Sequence, residues 1–323
     1  MPFFPTGKEG TYIFTPLVFL FYAGNFLILN PEERNINVNT IIQGILNGSM
    51  MGCIYALIAL GLSIIFGVMN IVNFAHGDFV MLSMYFTFWA GSLFSIDAVA
   101  TPFITFPLLF LFGVVVYFLI IEGTLRQKYV TQIAVTVGLM TLLRALAQIM
   151  WKAQARALPY SIIQGSVNIG EITLMTSRII SALVSIAAIF VVALFFDKTW
   201  PGRAIRAASD DLDAASLMGV NYRWIYAFSF GLGSALTALA GGLLMSFQQV
   251  DPTMGLRFGL LSWCILALTG MGSIPGLLVS GIIVGSAESI SMSLWDPRAR
   301  SLIIYLIFVL VLWLRPRGIF GRK

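Results

Sequence analysis

Residues 40–68 contain no charged side chain, and apolar stretches of comparable length follow one another to the end of the chain. About 20 such residues cross a bilayer as a helix. Inside hydrocarbon every backbone N–H and C=O has to be paired within the protein, so only helices and closed barrels span it. A barrel would show alternating segments of about ten residues, whereas the runs here are unbroken. Only 10% of the 323 residues are charged, against about 25% in soluble domains, and a soluble enzyme is excluded. The expected fold is an all-α polytopic transmembrane helical bundle of about eight to ten spans.

Ten spans are expected, at roughly 12–29, 40–68, 78–96, 102–121, 131–150, 179–196, 225–247, 260–269, 277–293 and 301–314. The eighth is too short to cross alone and is expected to continue past the glycines that follow it. Residues 1–37 read as an N-terminal extension with one extra candidate span, interrupted by Pro16 and Asn25. No small-residue cleavage site follows it, so it is expected to stay in the mature protein. Residues 38–323 read as the main transmembrane domain. With ten spans both termini lie on one side, together with Lys8, Arg126, Lys128, Lys198, Arg203, Arg206, Arg223, Arg315, Arg317, Arg322 and Lys323. The other side receives Arg34, Lys152, Arg156, Arg178, Arg257, Arg298 and Arg300. The first side holds more basic residues and is expected to be cytoplasmic. The net charge of +5 thus belongs to membrane-flanking loops and gives no sign of nucleic-acid binding. Cys53 and Cys264 lie in apolar runs, and the chain has a single histidine, so no multi-histidine or zinc-type metal site is expected.

Two hydrophilic loops are long enough to act outside the bilayer. Residues 151–178 form an external loop of mixed character, suited to meeting a partner. Residues 198–224 are cytoplasmic and include GRAIRAASDDLDAASLMGVN at 202–221. Ser209 is a good N-cap, and Asp210 and Asp211 would fall in the first turn, where the helix dipole favours negative charge. Gly219 sits where a left-handed residue would end the helix. A nine-residue helix over 210–218 is expected, about 13 Å long, too short to be stable without something to pack on. Its residues Leu212, Ala214, Ala215, Leu217 and Met218 make an apolar knob, either a connector on the membrane surface or a docking helix for a partner's groove.

DAASLMG at 213–219 resembles the EAA-type loop of bacterial ABC importer permeases, with Asp213 at the Glu position. The stretch 202–221 as a whole resembles the branched-chain amino acid permease family of high-affinity ABC importers, the LivH type in particular. GVMNIVNFAHGD at 67–78 is similar to that family's INFAHGE segment, with Asp78 for Glu. GMGSIPG at 270–276, followed by Gly281, Gly285 and Glu288, and LRPRGIFG at 314–321 agree. The resemblance runs from about residue 40 to the end and leaves the first 37 residues as an addition. It implies a permease subunit carrying branched-chain amino acids or a related small polar solute across the bacterial inner membrane. It also implies partners: a second, LivM-like permease, two cytoplasmic ATPases that hold the ATP and Mg, and a periplasmic substrate-binding protein. Arg203, Arg206, Asp210, Asp211, Asp213, Ala214, Ala215, Gly219 and Asn221 would then couple this chain to the ATPases. The residues agree independently that the energy comes from elsewhere. No G-x-x-x-x-G-K-[ST] phosphate loop is present, and no cofactor of this chain is expected.

Ionisable side chains at membrane depth are costly and mark functional candidates. Asn70, Asn73, His76 and Asp78 form one cluster, with Gly77 allowing close approach, and parity puts it near the cytoplasmic ends of two spans. It either lines a substrate path or gate, or holds two helices together as a satisfied polar network. Glu288, with Ser286 beside it, either faces the same path or pairs with Arg144. Gly281 and Gly285 make a G-x-x-x-G packing face. The glycines at 231, 233, 241 and 242, with Ser234, also read as packing residues. The competing class is a self-sufficient ion-coupled secondary transporter or channel that uses His76, Asp78, Glu288 and Arg144.

Overall fold

The structure is a computed structural model that describes residues 38–158, 163, 165–270, 272–294, 300–315 and 318–320. The expected first span, Lys8, Arg34, Met271, Arg298, Arg317, Arg322 and Lys323 lie outside the described residues. The helices are α1 (Val38–Met69), α2 (His76–Phe94), α3 (Pro102–Val116), α4 (Tyr129–Trp151), α5 (Thr176–Lys198), α6 (Trp200–Asp210), α7 (Leu212–Leu217), α8 (Tyr222–Met245), α9 (Met254–Thr269), α10 (Ile274–Leu294) and α11 (Arg300–Leu314). A π turn over Tyr117–Ile121 and a 3-10 turn over Glu122–Thr124 prolong α3. Among the described residues six helices are long and apolar enough to cross a membrane: α1, α3 with its prolongation, α4, α5, α8 and α10. The fold is all-α, as expected.

Two expectations change. The short eighth span does not run past the glycines: α9 begins at Met254 and stops at Thr269, where Gly270 takes φ 79° and no longer continues the helix. The loop at 151–178 contains a hairpin in which β1 (Ser166–Ile169) pairs antiparallel with β2 (Ile172–Met175), too short to read from alternation.

Two inner helices organise the bundle. α10 lies along α1, α3 lies along α8, and α1 crosses α8. Glycines permit each contact. A Cβ on Gly52 would come within 2.6 Å of Ile282 Cα, one on Gly48 within 2.5 Å of Ser286 Cα, and one on Gly233 within 2.7 Å of Gly61 O. In lipid, helix association rests on this close packing and not on hydrophobic exclusion from water. Outside the core, α4, α5 and α11 keep exposed apolar residues such as Ile149, Phe190 and Trp313, as hydrocarbon-facing helices do.

The chain reverses twice in an unusual way. α1 ends at Met69, where Asn70 takes a left-handed φ of 52°. The chain then turns back alongside α1, and α2 begins only at His76, whose Nε2 donates to Ile58 O at 2.9 Å. Ile58 precedes the end of α1 by eleven residues, about 16 Å of helix, and the six residues between α1 and α2 reach about 20 Å when extended. α2 therefore starts deep in the bundle. α9 does the same after α8: its first turn lies against the first turn of α2, with Gly77 on Gly255 and Gly259.

The sequence of long helix, return, short helix and packed helix thus occurs twice, as α1–α2–α3 and as α8–α9–α10. α1 ends on the face where Ser209 of α6 donates to Gly67 O, and α8 starts from that same face after α7. The two passes run in opposite directions, the inverted-repeat plan found in many transporters.

Candidate functional site

The hydrophilic loop forms two helices, not one of nine residues. Asp211 breaks the run at φ −152° and ψ 105°. Its carboxylate accepts from Ala214 N at 2.9 Å, so Asp211 is the N-cap and not Ser209. Asp210 closes α6 instead of opening α7. Ser209 is committed elsewhere, to Gly67 O at 2.6 Å. Gly219 follows α7 with φ 84°, the left-handed position expected of it.

α6 buries Gly202, Ala204, Ile205 and Ala208, and α7 buries Ala215. These contacts anchor a hook whose outer surface carries Arg203, Asp210, Asp213 and Ala214, all exposed. Leu217 and Met218 are 89% and 85% exposed. Arg206 pairs with Asp197 at 2.7 Å, and Asn221 caps α8 by accepting from Arg223 N at 3.1 Å. Arg223 also pairs with Glu122, which ties the start of α8, just after the hook, to the far end of α3.

The membrane cluster divides. Asn70 is exposed and ends α1 with its left-handed backbone. Asn73 is buried, and its Oδ1 accepts from Ala75 N at 3.1 Å, shaping the return. His76 and Asp78 lie deep in the bundle and not at the end of two spans, because the return carries α2 inward. They do not pair. His76 donates to a backbone carbonyl, which fixes the proton on Nε2. Asp78 instead takes a two-pronged bond from Arg144, with Nε to Oδ1 at 2.8 Å and Nη2 to Oδ2 at 3.2 Å. Gly255 has no room for a side chain because this carboxylate occupies the space.

Glu288 does not pair with Arg144. Its partner is Arg257, whose Nη2 donates to Glu288 Oε1 at 2.9 Å and to Tyr55 OH at 3.1 Å. Arg257 was expected in an external loop; the early start of α9 draws it inside the bundle. Ser286 Oγ meets Ser49 Oγ at 3.2 Å on the α1–α10 seam.

Two arginine–carboxylate pairs therefore flank the first turn of α9. Both carboxylates are buried, at 0% and 2% exposure, while Arg144 and Arg257 keep 19% and 23%. Beside the first pair, Phe74, Met140, Arg144, Leu256, Leu260 and Trp263 line a narrow cleft around Gly259. Sequence reasoning overlooked Arg257, Tyr55 and Trp263. An arginine three residues after Met254 reads as a loop residue unless the helix is known to start there. Among the described residues no group of His, Cys, Asp and Glu is arranged to hold a metal ion.

Residues 44–312 match the family described as branched-chain amino acid transport system / permease component. The high-affinity branched-chain amino acid transport system permease protein BraD of Pseudomonas aeruginosa is 29% identical, over 87% of this chain and 96% of its own length. LivH of Escherichia coli K12 is also 29% identical, with the same coverage. A probable LivH from Methanocaldococcus jannaschii is 26% identical, over 82% of this chain and 88% of its own. A match over most of the chain, together with the hook, the return at 70–75 and a multi-pass helical membrane fold, places it: the chain belongs to the branched-chain amino acid transport permease family.

Proposed function

We propose that this chain is one permease subunit of an ATP-driven importer for branched-chain amino acids or a related small polar solute. It pairs with a second, LivM-like permease, two cytoplasmic ATPases carrying ATP and Mg, and a periplasmic substrate-binding protein. The observation that carries this reading is the α6–α7 hook. A two-helix element with a fixed base presents Leu217 and Met218 almost wholly uncovered at its tip, with Asp210, Asp211 and Asp213 close by in sequence. Such a tip is costly in water and suits a groove on another protein. ATP-driven closure of the ATPases would move the hook, which is braced against the end of α1 by Ser209 and runs on into α8, whose Arg223 is tied to the end of α3 through Glu122. Through these braces the motion reaches the helices of both inverted halves and opens them alternately to either side. The hook face is then cytoplasmic, and both termini lie there.

The test is purification of the chain from its host in mild detergent, identification of its stoichiometric partners by mass spectrometry, and uptake in liposomes. Two ATPases, a second permease and ATP-dependent uptake are expected. Isolation of the chain alone, transporting without ATP, would overturn the proposal in favour of an ion-coupled carrier. Exchanging Asp213 for Lys should lower the yield of bound ATPase, and an unchanged yield would leave the hook as a mere connector.

A further inference from the structure

The geometry points to Arg144 as the group that receives the carboxylate of an α-amino acid in the cleft between α4 and α9. The cleft beside it takes the apolar side chain. This inference rests on the importer reading and assigns it a substrate contact.

Three observations carry it. The guanidinium is only partly used: Nε and Nη2 bind Asp78, and Nη1 has no protein partner among the described residues. An arginine nitrogen left unused at this depth is costly against lipid and calls for water or a polar ligand beside it. Trp263 also lines the cleft, and its indole Nε1 is buried with no acceptor among the described residues. The carboxylate that touches Arg144, Asp78, is fully buried and both its oxygens are engaged. A guanidinium with one nitrogen unused favours an anionic group of the ligand, and the carboxylate of an α-amino acid supplies one. Its other walls are Phe74, Met140, Leu256 and Leu260, which fit an aliphatic or aromatic side chain and offer a polar solute nothing. The first turns of α2 and α9 meet here, and the positive ends of the two helix dipoles add potential of the same sign.

The cleft holds about 20 Å³, room for a single water, so the structure has it closed. α4, which bears Arg144 and Met140, is held through α2 and the end of α3 and is the wall that has to move.

The experiment uses the whole complex in proteoliposomes, with radiolabelled leucine as the probe and uptake expressed per assembled complex. The double variant Asp78→Asn/Arg144→Gln removes both charges and leaves no buried ion alone; uptake should fall about tenfold or more, the loss of a charge-assisted bond. Arg144→Lys keeps the cation and should restore part of it. Leu256→Trp leaves the ion pair intact and fills the cleft; it should block uptake as strongly. Full uptake by the double variant would make Arg144 a packing residue and sink the inference, as would full uptake by Leu256→Trp. Absence of ATP-dependent leucine uptake in the unaltered complex would strike the importer reading itself.

Discussion

Gly219 has nothing within 4 Å of where a side chain would begin, yet its φ of 84° resists every L-residue with a branched Cβ. The strain of Gly219→Val, about 1–2 kcal/mol, would fall on the turn that joins α7 to α8 and not on the core. The expected result is a complex that assembles and consumes ATP but imports several-fold less per ATP. An unchanged ratio of uptake to ATP would separate the turn from coupling. Removing one member of a buried ion pair acts on stability instead. Glu288→Ala would leave Arg257 partly buried with only Tyr55, a loss of about 3–5 kcal/mol, visible as a lower unfolding temperature in detergent. A shift near zero would mean the pair is already solvated. At this scale the sequence identified the charged residues and missed their pairing. Arg144 and Glu288 lie on different helices with the right signs, but the choice of partner depends on where α2 and α9 start. Those starts are set by two returns, and no periodicity records them.

Among the elements, the long helices were legible because each is a long apolar run with few charges, α4 and α10 being interrupted only by Arg144 and Glu288. The glycine faces were legible as well: Gly281 and Gly285 meet Gly48 and Gly52, as a G-x-x-x-G spacing implies. Gly52→Leu would force α1 away from α10, at about 1–3 kcal/mol for overpacking. Thermal unfolding of the purified chain should show it, while Leu substituted for Gly67, an open position, should have little effect. Equal effects at the two sites would argue that the seam is loose. The returns at 70–75 and 246–253 were not legible, since a short polar stretch between two apolar runs reads as a surface loop wherever it lies in space. The hook was half legible. Its capping residue was misplaced because Ser209, Asp210 and Asp211 all satisfy the same N-cap preference, and the contact of Ser209 with α1 decides among them.

For the whole molecule, the first question is which side the hook faces. Cys53 and Cys264 are buried, so Met218→Cys creates a single accessible thiol. A membrane-impermeant maleimide should label it in inside-out vesicles and not in right-side-out ones; the reverse would invert the whole arrangement. The answer matters beyond this loop because the two halves of the bundle are ordered alike and run in opposite directions. Turned over, the hydrophobic body meets the membrane in nearly the same way, and its buried seams do not change. Nothing in its greasy surface tells the insertion machinery which way to lay it down. That instruction resides in a few basic side chains at the rims, such as Arg126, Lys128, Lys198 and Arg203. A handful of charge changes during evolution would be enough to produce a sister protein that faces the other way.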